Sequence, residues 1–344
     1  MLAKDEILEG RYRIIRQLGH GGMGAVYEAK DERLGSSVAL KEIIIELDKI
    51  PNANQQEIFR RAFEREAKLL ANLHHEAFPR VTDYFSQEDR QFLIMELIYG
   101  DDLGDQLNKS RKPFSLEKIL KWAEQLLDAL DYLHTQTPPT FHRDIKPQNL
   151  KVTSRGKIKL LDFGIAKSVD TAASTMTNQT FVGATLNYSP IEQILPAIPP
   201  TFREFIVLKH QEKAKIVLSQ NTDARCDIYA IGATIYHLLT NLVPVDSPKR
   251  SLEIWEGNKD PLPNPSELNP DIPPEISKWL LKALEIERDN RYDSAAEMLE
   301  SLKSIISDEK TKNKTAEKTL VLPVEPTLPN QEPNLTEAKT ERLI

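Results

Sequence analysis

The chain of 344 residues contains 40% hydrophobic and 28% charged residues, which is typical of a globular protein, and its length suits two or three domains. Its formal net charge of −7 argues against a general nucleic-acid-binding protein, whose surface would be basic, so we expect no nucleic-acid partner. A single cysteine, Cys226, excludes an internal disulfide framework and fits a reducing compartment.

The sequence also bears on targeting. The first residues, MLAKDEILEG, do not have the apolar core of a signal peptide. The longest mostly apolar stretch, residues 229–239, is too short to cross a bilayer and is interrupted by His237. We therefore expect a soluble, cytoplasmic protein with no membrane span.

Strand-type segments dominate up to about residue 97 and helical patterns dominate from about residue 115. The predicted strands, rich in β-branched and aromatic residues, are 12–18, 25–29, 37–45 and 91–97. Between them, apolar residues recur at helical spacing at Phe59, Phe63, Leu70 and Leu73. Further helices are predicted at 116–134 and 274–284. Residues 308–344 are rich in Lys, Thr, Glu and Pro, a composition that predicts a disordered tail.

Glycines are concentrated in one short segment, since four of the 13 fall within residues 19–24. Such clustering predicts a backbone that turns sharply or approaches a ligand closely. Gly19, Gly21 and Gly24 form the pattern G-x-G-x-x-G, which dinucleotide-binding folds also use, but there a helix follows directly. Here a strand is predicted instead, so the segment is either a flap whose N–H groups close over phosphates or an ordinary hairpin.

Lys41 lies on a predicted strand, where it shares one face with Ala39 and Ile43 because side chains alternate with a period of two. Taken alone, it reads as a surface lysine. Glu66, however, falls on the apolar stripe of the predicted helix, where an unpaired carboxylate would be costly. The sequence therefore predicts a Lys41–Glu66 ion pair that directs the ammonium toward an anionic ligand.

The segment FHRDIKPQNL, residues 141–150, places Asp144, Lys146 and Asn149 in one loop, and Asp162 follows the next predicted strand. Carboxylate and amide oxygens such as those of Asp162 and Asn149 suit Mg²⁺, which also binds phosphate oxygens. Asp144 can accept a proton from an attacking hydroxyl, and Lys146 can neutralise charge on a transferring phosphoryl group. Phosphoryl transfer depends mostly on positioning and electrostatics, which these side chains supply.

With these motifs in this order and spacing, residues 10–307 resemble a eukaryotic-type serine/threonine protein kinase. The local sequences at residues 149–152 and 192–193 are most similar to those of bacterial members. The resemblance implies an α+β bilobal fold, in which residues 1–97 form a small antiparallel β-sheet N-lobe with one main helix and residues 98–307 form a larger, mostly helical C-lobe. It implies the cofactors ATP and Mg²⁺, and transfer of the γ-phosphoryl group of MgATP to Ser or Thr hydroxyls of protein substrates, including the kinase itself, as in signalling by protein phosphorylation.

The resemblance also implies catalytic and metal-binding roles. Asp144 orients and deprotonates the acceptor hydroxyl and Lys146 offsets developing charge, while the position of Lys146 favours Ser or Thr over Tyr as acceptor. Lys41, paired with Glu66, holds the α- and β-phosphates. The predicted metal ligands are Asn149 and Asp162.

A nucleotide site is implied in the same way. Its predicted residues are Leu18, Gly19, His20, Gly21, Gly22, Met23 and Gly24 in the glycine loop, Val26 and Ala39 above the adenine, Lys41 at the phosphates, Met95 as gatekeeper, Glu96 and Leu97 as the hinge, and Asp102 near the ribose. Three nearby residues have structural interpretations. We expect His142 to pack in the core beneath the loop, Asp227 to anchor the loop backbone, and the methylene stem of Lys151 to form the floor of the adenine pocket.

Two features depart from the family pattern. Pro190-Ile191-Glu192 stands where members commonly carry Ala-Pro-Glu, and aligning on Thr185 keeps Glu192 in register, whereas aligning on Gly183 does not. We prefer the first register because Glu192 then forms a buried ion pair with Arg291. The second feature is an insertion at about 195–221, with a helix predicted at 201–220, which is either a docking element or a solvated decoration packed on the C-lobe.

The segment that follows Asp162 predicts regulation by phosphorylation. It carries the hydroxyl residues Thr171, Ser174, Thr175, Thr177 and Thr180. Because Arg143 and Lys167 offer a basic pocket for a phosphate, we predict autophosphorylation within residues 171–180.

Two other functions are compatible with parts of this sequence. A pseudokinase, which uses the fold as a binding module, typically loses Lys41, Asp144 or Asp162, and all three are present. A small-molecule phosphotransferase such as an aminoglycoside kinase is disfavoured by the protein-kinase segment that leads through Thr185 to Glu192. The sequence leaves the substrates, the activating signal and the oligomeric state open.

Overall fold

A computed structural model describes residues 1–21, 24–43, 53–87, 90–163 and 186–319. Residues 1–303 form one compact unit and residues 304–344 form a second. Of the predicted site residues, Gly22 and Met23 lie outside the described part, as does the predicted phosphorylation region 171–180.

The first part of the chain forms an antiparallel sheet. In the part of the chain described, its strands are β1 (Ile7–Leu8), β2 (Tyr12–Gly21), β3 (Gly24–Asp31), β4 (Ser37–Ile43), β5 (Val81–Gln87) and β6 (Arg90–Glu96). They lie in the order β1-β2-β3-β4-β6-β5, and each pairs antiparallel with its neighbours. The predicted strands are confirmed over these bounds. Neither β1 nor β5 was predicted, since β1 is very short and β5, VTDYFSQ, is half polar.

The two faces of this sheet have different partners because side chains alternate along each strand. On one face, Tyr27, Leu40 and Ile94 belong to a buried cluster within the sheet. On the other face, Leu93 packs against the helix α1 (Ala53–Ala71) through Phe63. The predicted helix is therefore confirmed, and it covers the face that also carries Lys41.

The rest of the described chain is mainly helical, as predicted. The helices are α2 (Leu103–Ser110), α3 (Leu116–His134), α4 (Ile191–Ile194), α5 (Pro200–Lys209), α6 (Gln211–Ser219), α7 (Ala224–Thr240), α8 (Ser247–Trp255), α9 (Pro265–Leu268), α10 (Pro274–Ala283) and α11 (Ala295–Thr319). A small sheet pairs β7 (Leu150–Val152) with β8 (Ile158–Leu160), and a 3₁₀ turn, Pro147–Asn149, precedes β7.

Helix α7 is the centre of the helical part. Its sequence, ARCDIYAIGATIYHLLT, is apolar nearly all round, and every residue from Cys226 to Thr240 is buried. The Asp223 carboxylate caps its start, accepting a hydrogen bond from the Arg225 N–H, and Asn241 ends it in the left-handed conformation, with φ of 56°. Gly232 allows close packing on α10, because a Cβ atom there would lie 3.0 Å from the Cβ of Ala283.

The insertion contains two helices, α5 and α6, so the single helix predicted at 201–220 is wrong. The chain bends at His210, whose φ of −131° and ψ of 52° are not helical. Ala214 and Val217 on α6 are buried in a C-lobe cluster that includes Tyr188 and Tyr229. Helix α6 is therefore an integral part of the C-lobe core, whereas a docking role for the insertion stays a prediction.

Replacing Ala214 with Asp tests this packing. Because Ala214 is fully buried among apolar side chains, we expect a loss of about 2–4 kcal/mol in the free energy of unfolding, measured by urea denaturation. Leu208→Asp is the matched control, since Leu208 is 84% exposed on the neighbouring helix and its replacement should change the free energy by no more than about 0.5 kcal/mol. Equal midpoints for the two variants would show that α6 is not part of the core.

Helix α11 corrects the predicted start of the tail. It continues to Thr319, beyond the boundary expected at residue 308. Residues 308–319, DEKTKNKTAEKT, combine low hydrophobicity with several good helix formers, so composition alone misplaces the boundary. Residues 320–344 lie outside the described part. Among the described residues, no helix is both long enough and apolar enough to cross a membrane.

Candidate active site

The glycine segment joins two strands, which confirms the predicted strand–turn–strand arrangement. Strand β2 runs through Gly21 and β3 begins at Gly24, and the two residues are directly paired. Gly24 has a φ of 137°, and a Cβ atom there would lie only 1.9 Å from the Glu42 carbonyl oxygen, so no larger residue fits. Leu18 and His20 are exposed on β2. The two described residues that flank the turn, Gly21 and Gly24, both have no side chain.

The predicted adenine and phosphate residues share one face of the sheet. Val26 on β3 is paired with Lys41 on β4, and Ala39 on β4 is paired with Met95 on β6. Cross-strand partners point to the same side, so these four side chains line one surface. Glu96 ends β6, and Leu97 follows it into the connection to the helical part.

Lys41 forms an ion pair with Asp162, in which Nζ lies 2.7 Å from Oδ1. Burial opposes ionisation of Asp162, but the charge and hydrogen bond of Lys41 outweigh it and hold the pKa of the carboxyl below its usual value. Asp162 also adopts a left-handed backbone, with φ of 54°. Glu66 lies in α1, but its side chain is outside the described part, so the Lys41–Glu66 pair stays a prediction.

Asp144, Lys146 and Asn149 meet in the loop that was predicted to be catalytic, and that role stays a prediction. The Lys146 Nζ atom lies 2.9 Å from Asp144 Oδ2. Asn149 Nδ2 donates to the same oxygen at 2.9 Å and to the Asp144 carbonyl at 2.7 Å. These contacts hold the Asp144 carboxylate in one orientation and leave the Asn149 amide oxygen as an acceptor.

Asp227 anchors this loop, which confirms the structural role predicted for it. Its carboxylate accepts hydrogen bonds from the backbone N–H groups of His142 and Arg143, both at 2.8 Å, and contacts His134 Nε2 at 2.8 Å. Burial alone would raise the pKa of Asp227, but the His134 contact and the backbone donors hold it below the usual value. The anchor sustains a strained backbone, since the φ of Arg143 is 64°.

His142 packs beneath the loop, as expected. Its ring lies 4.8 Å from the Phe163 ring, and Nε2 lies 3.1 Å from the Leu161 carbonyl oxygen. Complete burial lowers the pKa of His142, so the ring is neutral and Nε2–H donates to that carbonyl. His142 thereby links the loop that carries Asp144 to the segment that carries Asp162.

Glu192 and Arg291 form the predicted buried pair. Arg291 Nη1 lies 2.6 Å from Glu192 Oε1, Nη2 lies 3.2 Å from Oε2, and both side chains are at most 1% exposed. Cys226 contacts the same carboxylate, and burial raises the pKa of its thiol well above the usual value. The pair supports the register in which Glu192 closes the Pro190-Ile191-Glu192 motif.

Lys151 makes a contact that the sequence analysis missed. Its Nζ atom donates to the Ile98 carbonyl at 3.1 Å, next to the predicted hinge, rather than only reaching solvent. Its backbone bridges to Asp102, whose Oδ1 caps α2 by accepting from the Asp105 N–H at 2.8 Å. Burial raises the pKa of Asp102, and the positive charge of Lys151 opposes that rise. A lysine within a short strand gives no sequence signal for such a contact.

The donor set fits Mg²⁺. Asn149 uses its amide nitrogen on Asp144, so its oxygen is available as a ligand, and the lowered pKa of Asp162 keeps that carboxylate ionised. The Asp162 carboxylate, beside the Lys41 ammonium, and the Asn149 amide oxygen are hard donors of the kind that bind a magnesium nucleotide. Among the described residues, no group of three or more His, Cys, Asp or Glu side chains could by itself hold a metal ion.

Comparisons with known proteins agree with this geometry. The model of the protein kinase domain family matches residues 12–303. A probable serine/threonine-protein kinase of Streptomyces coelicolor is 34% identical over 295 residues, which cover 85% of this chain and 39% of that protein. The serine/threonine-protein kinase PrkC of Bacillus subtilis is 29% identical over 307 residues, covering 89% of this chain and 42% of that protein. The chain thus spans about two fifths of the length of these curated relatives.

Solved structures show the same fold. The kinase domain of PknI from Mycobacterium tuberculosis matches with a TM-score of 0.61 at 24% identity, covering 88% of this chain and 99% of that one. PpkA in its apo form matches with a TM-score of 0.66 at 22% identity, covering 88% and 99% of the two chains. The expected α+β bilobal fold, with a sheet-rich N-lobe and a helical C-lobe, is confirmed.

Proposed function

Because the chain belongs to the protein kinase domain family, we propose that it transfers the γ-phosphoryl group of MgATP to serine and threonine hydroxyls of proteins, itself included. The observation that carries this proposal is the constellation around Asp144. Lys146 and Asn149 both contact Asp144 Oδ2, while Lys41 holds Asp162. The names of the relatives, all serine/threonine-protein kinases, support the acceptor class.

In this mechanism the residues of the chain position the reacting groups and neutralise the negative charge of the phosphates. Asp144 accepts a hydrogen bond from the acceptor hydroxyl and takes its proton as the hydroxyl oxygen bonds to the γ-phosphorus. The bond from that phosphorus to the β,γ-bridging oxygen breaks, and ADP leaves with the bonding electrons. Lys146, 2.9 Å from Asp144, offsets negative charge on the group in transfer, and Lys41 binds the α- and β-phosphates. Asn149 and Asp162 would hold Mg²⁺, which when bound supplies positive charge against the phosphate oxygens.

The rest of the site orients the nucleotide. Val26 and Ala39 cover one side of the adenine, the backbone of Glu96 and Leu97 binds its edge, and Asp102 accepts from the ribose. We assign the glycine segment, residues 18–24, to the phosphates. The shared sheet face and the close approach of the Gly24 backbone to the Glu42 carbonyl support these assignments.

The test is a transfer assay with purified protein and γ-radiolabelled MgATP. We expect label on Ser and Thr of acceptor peptides and of the protein itself, with peptide mapping placing the latter within residues 171–180. No label on any peptide or on the chain would favour a pseudokinase. Label transferred only to an added aminoglycoside would favour a small-molecule phosphotransferase.

Lys151→Met tests the nucleotide site through pH. The Asp102 carboxylate is proposed to accept a hydrogen bond from the ribose, and it becomes protonated as the pH falls through its pKa. Burial raises that pKa, and the positive charge of Lys151 lowers it. Without the ammonium the pKa rises further, so the KM for ATP should begin to increase at a higher pH than in the unmodified protein. Asp105 and Lys109, the other charged groups that act near Asp102, are unchanged in this variant.

The control uses a different nucleotide. With 2′,3′-dideoxy-ATP, which has no ribose hydroxyl to donate, the two proteins should show the same pH dependence of KM. Identical profiles with ATP itself would show that Lys151 does not act through Asp102.

A further inference from the structure

A groove of about 580 Å³ opens beside the catalytic loop. Gln148, in the 3₁₀ turn between Lys146 and Asn149, forms one wall. Leu107 and Asn108 of α2, which packs against that turn, and Arg111 also line the groove, as does Asn241 at the end of α7. A peptide whose hydroxyl reaches Asp144 therefore has an open path along this groove. We call it the α2–α7 groove.

The groove offers hydrogen-bond donors and one cation. Four of its described lining residues carry amides, namely Asn108, Gln148, Asn187 and Asn241. Arg111 is the one lining residue, among those the structure describes, with a permanent formal charge, and none of them is a carboxylate. A carboxylate entering the groove meets donors, whereas an arginine or lysine would lose hydration without an anionic partner.

The Arg111 backbone has a structural role, whereas its side chain is exposed and available to a ligand. Its backbone caps α2 in the left-handed conformation, with φ of 53°, and its N–H donates to the Leu107 carbonyl. Its exposed side chain makes no ion pair or hydrogen bond with any described residue. Two carboxylates at the start of α2 have other partners. Asp101 forms an ion pair with Lys109, and Asp102 accepts a hydrogen bond from the Asp105 N–H.

The floor of the groove is rigid. The Tyr188 hydroxyl lies 2.7 Å from His237 Nδ1, and Asn187 Nδ2 donates to the Pro244 carbonyl at 2.7 Å. Burial raises the pKa of Tyr188 and lowers that of His237, so a neutral phenol donates to a neutral ring whose Nε2 carries the hydrogen. The floor thus adds a neutral donor and no negative charge.

We infer that the α2–α7 groove binds the substrate segment next to the acceptor hydroxyl and selects acidic or amide side chains there over arginine and lysine. This inference rests on the proposed kinase function and narrows its substrate class to Ser/Thr sites with acidic flanks. Asp102 and Gln148 both border Gly104, but the Asp102 carboxylate accepts from the Asp105 N–H and is attracted by the Lys151 ammonium.

The test compares three peptides that share one Ser acceptor and differ only in flanking Glu, Gln or Arg residues. With the unmodified protein we expect kcat/KM to be highest for the Glu peptide and lowest for the Arg peptide. In Arg111→Glu the ratio of kcat/KM for the Glu peptide to that for the Arg peptide should fall by about 3- to 10-fold. The reason is that the attraction between residue 111 and the peptide carboxylates becomes a repulsion. The change should lie in the peptide KM, with kcat for the Gln peptide and the KM for ATP unchanged.

Lys112→Glu is the matched control, since it makes the same charge change one residue away, outside the groove lining. Arg111→Asn is the second variant, because Asn tolerates the left-handed conformation, and it should shift the ratio in the same direction by a smaller factor. The inference would be overturned if the unmodified protein preferred the Arg peptide, or if Arg111→Glu and Lys112→Glu gave the same Glu-to-Arg ratio of kcat/KM. In either case, continued phosphorylation of the Gln peptide would leave the proposed kinase function standing. Failure of the unmodified protein to phosphorylate any of the peptides would overturn the proposed function as well.

Discussion

Asp144→Asn should reduce phosphoryl transfer to peptide substrates by about 10²- to 10⁴-fold, the usual contribution of a positioned general base. The amide keeps the shape of the carboxylate and one of its oxygens, so the contact with Asn149 can persist. It cannot accept a proton at neutral pH, and the electrostatic attraction of Lys146, 2.9 Å away, is lost. The rate should be measured by radiolabel transfer at saturating MgATP.

Binding separates this effect from misfolding. Asp144 is not among the residues assigned to the nucleotide, so the Kd for MgATP of Asp144→Asn should stay within about threefold of the unmodified value. Asp271→Asn, the same chemical change at an exposed position, is the control and should leave both rate and affinity unaltered. If Asp144→Asn kept more than a tenth of the activity, Asp144 would not be the proton acceptor.

The second large effect concerns stability. Arg291→Leu should lower the free energy of unfolding by about 3–5 kcal/mol, because it leaves the carboxylate of Glu192 buried without its partner. The guanidinium also donates to the Glu285, Ile286 and Arg225 carbonyls, so the loss should fall at the upper end of that range. Urea denaturation followed by circular dichroism measures it.

Two further variants identify the cause. Adding Glu192→Met to Arg291→Leu removes the unpaired charge and should recover part of the loss, since apolar replacement of both partners is often nearly neutral. Arg61→Leu breaks a surface pair with Glu57, in which Arg61 is 77% exposed, and should cost no more than about 1 kcal/mol. If Arg291→Leu cost as little as Arg61→Leu, the buried pair would not stabilise the fold.

Short-range signals in the sequence predicted most of the site. Asp144, Lys146 and Asn149 lie within six residues of one another, so their spacing alone brings them together. The period of two placed Ala39 and Lys41 on one face, and the Glu192–Arg291 pair expected from the family resemblance favoured the register on Thr185. These predictions needed only local geometry or a motif of fixed spacing.

The features that were missed depend on tertiary contacts. Strand β5 is half polar, yet it is held at the edge of the sheet by pairing with β6. The contact of Lys151 with the Ile98 carbonyl arises because β7 runs beneath the connection between the lobes, which no local pattern reports. The bend at His210 has no glycine or proline to mark it, so two helices were predicted as one.

The attachment of the catalytic loop to α7 sets how long the reactive arrangement persists. The amide hydrogens of His142 and Arg143 are shielded by a carboxylate that belongs to the most enclosed helix of the described chain. They can exchange with solvent only when that interior opens, although the loop itself borders a cleft. We therefore expect a perturbation that loosens the interior of the C-lobe to disturb the proposed catalytic loop as well.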